Sequence, residues 1–74
     1  MRLTLNDGAE VKPGDTFDNG FMGTRVTFVR VESEPWGDDE TGEYCPGRVA
    51  VRESWGEQVT MSADKLRPAV EFRD

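Results

Sequence analysis

The stretch Arg48-Val49-Ala50-Val51-Arg52-Glu53-Ser54-Trp55-Gly56-Glu57-Gln58-Val59-Thr60-Met61 decides the fold class. Val49, Val51 and Trp55 recur at even spacing while Arg52 and Ser54 take the other parity, the signature of a strand with one face buried. Gly56 interrupts the run, and Val59 and Met61 then resume the same period. Two alternating runs around a glycine read as a β-hairpin.

On either side of this hairpin, turn residues recur at short intervals: Asn6-Asp7-Gly8, Pro13-Gly14-Asp15, Asn19-Gly20, Gly23, Gly42, Pro46-Gly47 and Pro68. Punctuation this dense leaves no room for a long helix. The spacing predicts further strands at about Arg2 to Leu5, Thr16 to Asp18, Thr24 to Glu32 and Ala69 to Phe72. In Arg25-Val26-Thr27-Phe28-Val29-Arg30-Val31 the apolar parity changes after Phe28, which predicts a bulge or a sharp bend near Phe28. Ser62-Ala63-Asp64-Lys65-Leu66-Arg67-Pro68 is too short for a stable helix and predicts one 3₁₀ turn. The core is expected to hold Phe17, Val26, Phe28, Val49, Val51, Trp55, Val59, Met61, Leu66 and Val70.

This order of elements resembles the short SH3-like and KOW-like barrel proteins of bacteria and their phages, through Val11-Lys12-Pro13-Gly14-Asp15, the strands above and the Leu66-Arg67-Pro68 turn before the last strand. The resemblance implies one all-β domain over residues 1–74, a small SH3-like barrel of five or six antiparallel strands, with Arg2 to Leu5 as an added strand. Nucleic-acid binding is the function a KOW-like resemblance most often implies; taken with the small size and composition, the resemblance points to a phage or bacterial accessory protein that docks on and modulates a host or partner protein.

Seventy-four residues make one domain with a thin core. No apolar run reaches the ~20 residues of a membrane span, and the first residues lack the apolar core of a signal peptide. One cysteine, Cys45, cannot form an internal disulfide, and a cytoplasmic location is the expectation. Arginine outnumbers lysine seven to two and isoleucine is absent, a bias of GC-rich genomes.

Charge is the most informative feature. Between Arg30 and Arg48 there is no basic residue, whereas Glu32, Glu34, Asp38, Asp39, Glu40 and Glu43 are acidic. The chain has 15 acids and 9 bases, so without these six acids it would be neutral. The net charge of −6 is therefore matched by this one stretch: Glu32 stands at the entrance of a long connection, about residues 33–47, that holds the other five acids and also carries Trp36 and Tyr44. Such a loop serves solubility in many proteins. Two large aromatic residues in it point further, to a protein partner with a basic surface. On that reading Glu34, Trp36, Asp38, Asp39, Glu40, Glu43 and Tyr44 form the binding site, and the carboxylates stand in for phosphates if the partner's surface normally holds nucleic acid.

Other chemistries fare less well. With no histidine, the usual general base is missing, and Cys45 has acidic neighbours that disfavour its thiolate. No enzyme activity and no cofactor are expected. For calcium, Asp38-Asp39-Glu40-Thr41-Gly42-Glu43 departs from the EF-hand pattern, with Glu43 where that loop needs glycine. An alternative is nucleic-acid binding through an arginine face of Arg25, Arg30, Arg48 and Arg52, against which stands the overall acidity. Glu32, Glu53 and Glu57 are the expected partners of those arginines. A cage of Trp36, Tyr44 and Trp55 for a cationic group, and a homodimer through an exposed strand or the aromatic loop, complete the options.

Overall fold

A computed structural model describes residues 2–73 of the chain. It is all-β, with antiparallel strands and a single 3₁₀ turn. In chain order the strands are β1 (Arg2–Leu5), β2 (Thr16–Asn19), β3 (Arg25–Ser33), β4 (Trp36–Gly37), β5 (Tyr44–Cys45), β6 (Arg48–Glu53), β7 (Gln58–Ser62), β8 (Leu66–Arg67) and β9 (Val70–Arg73), with the 3₁₀ turn at Ala63–Lys65 between β7 and β8.

Five strands form the main sheet in the order β7-β6-β3-β2-β8, while β1 pairs with β9 and β4 pairs with β5. The quoted hairpin is present in the expected register, with Val49 opposite Met61 and Val51 opposite Val59. The bulge is present as well. Phe28 pairs with Val51 and Arg30 with Ala50, so Val29 is the extra residue, and a second shift follows between Val31 and Ser33. An extra residue bends and twists a strand, which explains how the nine-residue β3 pairs with β2 at one end and curves over the core.

Closure into a barrel is not found. β7 and β8 are the two edges of the sheet, and no ladder joins them among the described residues. The chain crosses between those edges through the 3₁₀ turn alone, and β8, two residues long, has rungs only for β2. The N-terminal segment does pair as an added strand, but with β9 in a separate two-stranded sheet: Leu3 lies opposite Phe72 and Leu5 opposite Val70.

Phe17, Val26, Phe28, Val49, Val51, Met61 and Leu66 are buried together, as their alternation requires. Val59 and Val70 pack at the margin of that cluster, half-buried. Leu3, Val11 and Ala63 join it without having been expected there. Leu3 and Val11 are tied by a backbone hydrogen bond from Val11 N–H to the Leu3 carbonyl, 2.9 Å, so the N-terminal hairpin presents both to the core.

Trp55 is the one expected core residue that is wrong: it is 62% exposed. β6 ends at Glu53, whose carbonyl accepts from Gly56 N–H and whose N–H donates to the Glu57 carbonyl. Ser54, Trp55 and Gly56 thus form a three-residue hairpin loop with Gly56 at φ +95°, the αL position that such loops assign to glycine. Alternation stops where the strand stops. Trp55 projects from the loop, and its Nε1 donates to Glu57 Oε2.

Candidate functional site

The acidic connection is ordered by its own short ribbon. Trp36 pairs with Cys45 and Gly37 with Tyr44, and the turn between them is closed by Asp38 N–H to the Glu43 carbonyl and Gly42 N–H to the Asp38 carbonyl, both 2.8 Å. Asp38 Oδ1 also accepts from Glu40 N–H, 2.9 Å, the local hydrogen bond for which aspartate is favoured in turns. Gly42, at φ +74°, completes the reversal. Glu34, Asp38, Asp39, Glu40 and Glu43 are all exposed on or beside this ribbon. They line its edge and do not converge; among the described residues no three histidine, cysteine or carboxylate side chains gather as a metal site would need.

Pairing register decides which aromatic residue can do what. Directly opposed residues share a face of a two-stranded ribbon, so Trp36 goes with Cys45 and Tyr44 with Gly37. Trp36 and Tyr44 therefore lie on opposite faces. Trp55 is in the β6–β7 turn, at the far end of the β3–β6 ladder from the ribbon, so an aromatic cage of these three side chains does not form.

Tyr44 has a second role that no local pattern announced. With Pro35 and Pro46 it forms one wall of a groove of about 360 Å³. Val70 and Phe72 of β9 and Ala63 of the 3₁₀ turn supply the rest of the apolar lining, and Asp64 and Glu71 bring carboxylates to it. Glu71 is held by Arg73, whose Nη2 stands 2.8 Å from Glu71 Oε2. Pro35 and Pro46 bracket the ribbon, rigid residues where it leaves the sheet. The groove draws on three segments distant in sequence, so only the pairing of β9 with β1 and the path of the 3₁₀ turn bring it together.

The arginines are brought to one face. Arg48 and Arg52 share the outward parity of β6, and Arg25 shares that of β3 with Thr27. Plain alternation would send Arg30 inward with Val26 and Phe28. The extra residue Val29 instead places it opposite Ala50, on the outer side. Two of the four are engaged: Arg25 with Asp18 at 3.1 Å and with Thr16 Oγ1 at 2.7 Å, and Arg30 with Glu32 at 2.8 Å. Arg48 and Arg52 make no ion pair among the described residues. Of the acids expected to neutralise this face, Glu32 does so; Glu53 is buried and accepts from Thr24 Oγ1, and Glu57 holds Trp55.

No helix is long and apolar enough to cross a membrane among the described residues. No protein-family model matches the chain, and neither a curated protein nor a solved structure matches it.

Proposed function

We propose that this chain is a non-enzymatic protein-binding module, an accessory protein of the bacterial or phage type, that receives a basic segment of a partner protein at the groove beneath the acidic ribbon. One observation carries the reading. The ribbon that bears Asp38, Asp39, Glu40 and Glu43 also contributes Tyr44 to an apolar groove with carboxylates at Asp64 and Glu71. An apolar anchor with a charged surround is how protein interfaces divide labour: the buried anchor supplies affinity, and the surrounding charge steers encounter and rejects wrong partners. The complementary ligand is a segment with an apolar or aromatic anchor flanked by arginine or lysine. A partner surface that ordinarily holds nucleic acid meets the same description, with the carboxylates in place of phosphates.

The order of strands supports an open version of the SH3-like barrel. β2, β3, β6 and β7 follow one another across the sheet, and the 3₁₀ turn returns the chain to pair β8 with β2.

The experiment is capture on an array of peptides that combine one apolar anchor with several arginines or lysines, repeated with Tyr44→Ala and with Asp38, Asp39 and Glu40 changed to lysine. Binding that falls with Tyr44→Ala, and slows in association with the lysine variant, supports the groove. Indifference to both removes it.

A second reading is favoured by the bulge that aligns Arg30 with Arg25, Arg48 and Arg52 on the outer face: a nucleic-acid contact through that face. The net charge of −6 and the engagement of Arg25 and Arg30 oppose it. Retention on heparin that weakens with salt, and is lost when Arg48 and Arg52 become glutamine, would select it over the first.

A further inference from the structure

Three large apolar side chains project from the end of the main sheet away from the ribbon. Phe21 and Met22, in the β2–β3 turn, are 76% and 62% exposed, and Trp55, in the neighbouring β6–β7 turn, is 62% exposed. Ladder register puts both turns at one end: Asp18 pairs with Arg25, Val26 with Glu53, and Thr24 Oγ1 donates to Glu53 Oε2 across the gap. Folding does not account for this choice, since turns favour small polar residues. The turn is also held rigidly. Asn19, only 6% exposed, accepts from both Phe21 N–H and Met22 N–H through Oδ1, and Gly23 N–H donates to the Asn19 carbonyl.

Charge identifies what covers this end. The rungs and turns around it bring Arg25, Arg52, Lys65 and Arg67 against Asp18, Glu53 and Glu57. Four cations against three carboxylates leave the end at about +1, and the rest of the chain carries −7. The other exposed aromatic residues, Trp36 and Tyr44, sit in the acidic ribbon, where two copies would repel. We propose that the Phe21–Met22–Trp55 end is a self-association surface, which pairs with the same surface of a second copy about a two-fold axis. That orientation joins apolar to apolar and keeps the two acidic ribbons as far apart as the molecule allows. It also leaves Tyr44 and the acidic ribbon uncovered in both copies, a bivalent arrangement.

The patch sets the strength. Three such side chains at these exposures offer on the order of 400 Å² per copy, about half of the ~800 Å² per partner typical of a stable interface. The dimer is therefore weak and concentration-dependent, and salt strengthens it by screening the repulsion between acidic chains. Salt acts in the opposite sense on the charge-steered docking at the ribbon, so the two surfaces are separable.

Sedimentation equilibrium of the full chain, from micromolar to millimolar concentration at low and high salt, tests the proposal. The expected result is a weight-average mass that rises from monomer toward twice that value, more so at high salt. Phe21→Ser with Trp55→Ser should remain monomeric at the same thermal midpoint, because both side chains are exposed, and Tyr44→Ala should dimerise as the parent does. A parent chain that stays monomeric at millimolar concentration in high salt overturns the proposal, as does a double variant that still dimerises. Binding of the parent to phosphatidylcholine–phosphatidylserine vesicles, lost in the double variant without any dimer being seen, would assign the end to a bilayer and overturn it equally.

Discussion

The ring of Phe72 fills the space that a side chain at Gly47 would need. A Cβ placed on Gly47 would stand 2.7 Å from Phe72 Cε2 and 2.8 Å from Cζ, and 3.3 Å from the Ser33 carbonyl oxygen. The same glycine has φ +93°, and its carbonyl accepts from Ala63 N–H. One residue thus joins the end of the ribbon, the 3₁₀ turn and the β1–β9 sheet, the three parts that wall the groove.

Gly47→Ala is accordingly expected to destabilise the chain by about 2 kcal/mol or more, from a left-handed backbone that alanine resists and from a clash with an aromatic ring. Chemical denaturation measures it. Adding Phe72→Leu should recover only the steric part, and a full recovery would show that the backbone conformation costs nothing.

Thr4 is 1% exposed and its hydroxyl has no hydrogen-bond partner. A buried unsatisfied hydroxyl costs roughly 1–3 kcal/mol, so Thr4→Val, nearly the same shape without the polar atom, should raise stability by about 1 kcal/mol. An unchanged or lowered midpoint would mean that the hydroxyl is satisfied in solution.

Asn19→Ala removes the acceptor of two backbone N–H groups and should cost roughly 1–2 kcal/mol. Its second signature is faster amide exchange at Phe21 and Met22 than at β3, because the loss is confined to the turn. Exchange that accelerates evenly across the sheet would contradict this.

Tyr44 and Trp36 should behave differently in partner binding, despite equal standing in the sequence. Tyr44→Ala should weaken binding at least about tenfold, the size expected for an aromatic anchor, while Trp36→Ala on the other face should change it by less than about threefold. Equal losses, read by titration calorimetry with a captured peptide, would place the contact on the ribbon as a whole and not in the groove.

Deleting Val29 should return β3 to simple alternation with Phe28 still opposite Val51 and Arg30 still opposite Ala50, so every side chain keeps its face and only the local bend is lost. The variant should therefore fold, at a cost of about 1–3 kcal/mol as β3 straightens over the core. Failure to fold, or unchanged stability in chemical denaturation, would contradict this.

The all-β class, the hairpin around Gly56, the bulge after Phe28 and the 3₁₀ turn were legible because each depends on neighbours in sequence: alternation, a turn residue, a change of parity. The site was half legible. The acidic connection and its aromatic residues stood out by composition, but the strands within it, Trp36–Gly37 and Tyr44–Cys45, are two residues each, and a pair of residues has no period to read. Trp55 misled for a related reason: parity continues on paper after the strand has ended at Glu53.

Neighbours along the chain fix local features: where strands run and turn, and that the negative charge is gathered in one connection. Which residues keep company depends on tertiary pairing. Register placed Trp36 and Tyr44 on opposite faces, the bulge at Val29 carried Arg30 outward, and the pairing of β9 with β1 brought Phe72 and Val70 to Tyr44. Those are contacts between distant segments. They follow from which strands pair and in what register, and such pairing is chosen by burial of the whole core, which no single stretch of the chain contains.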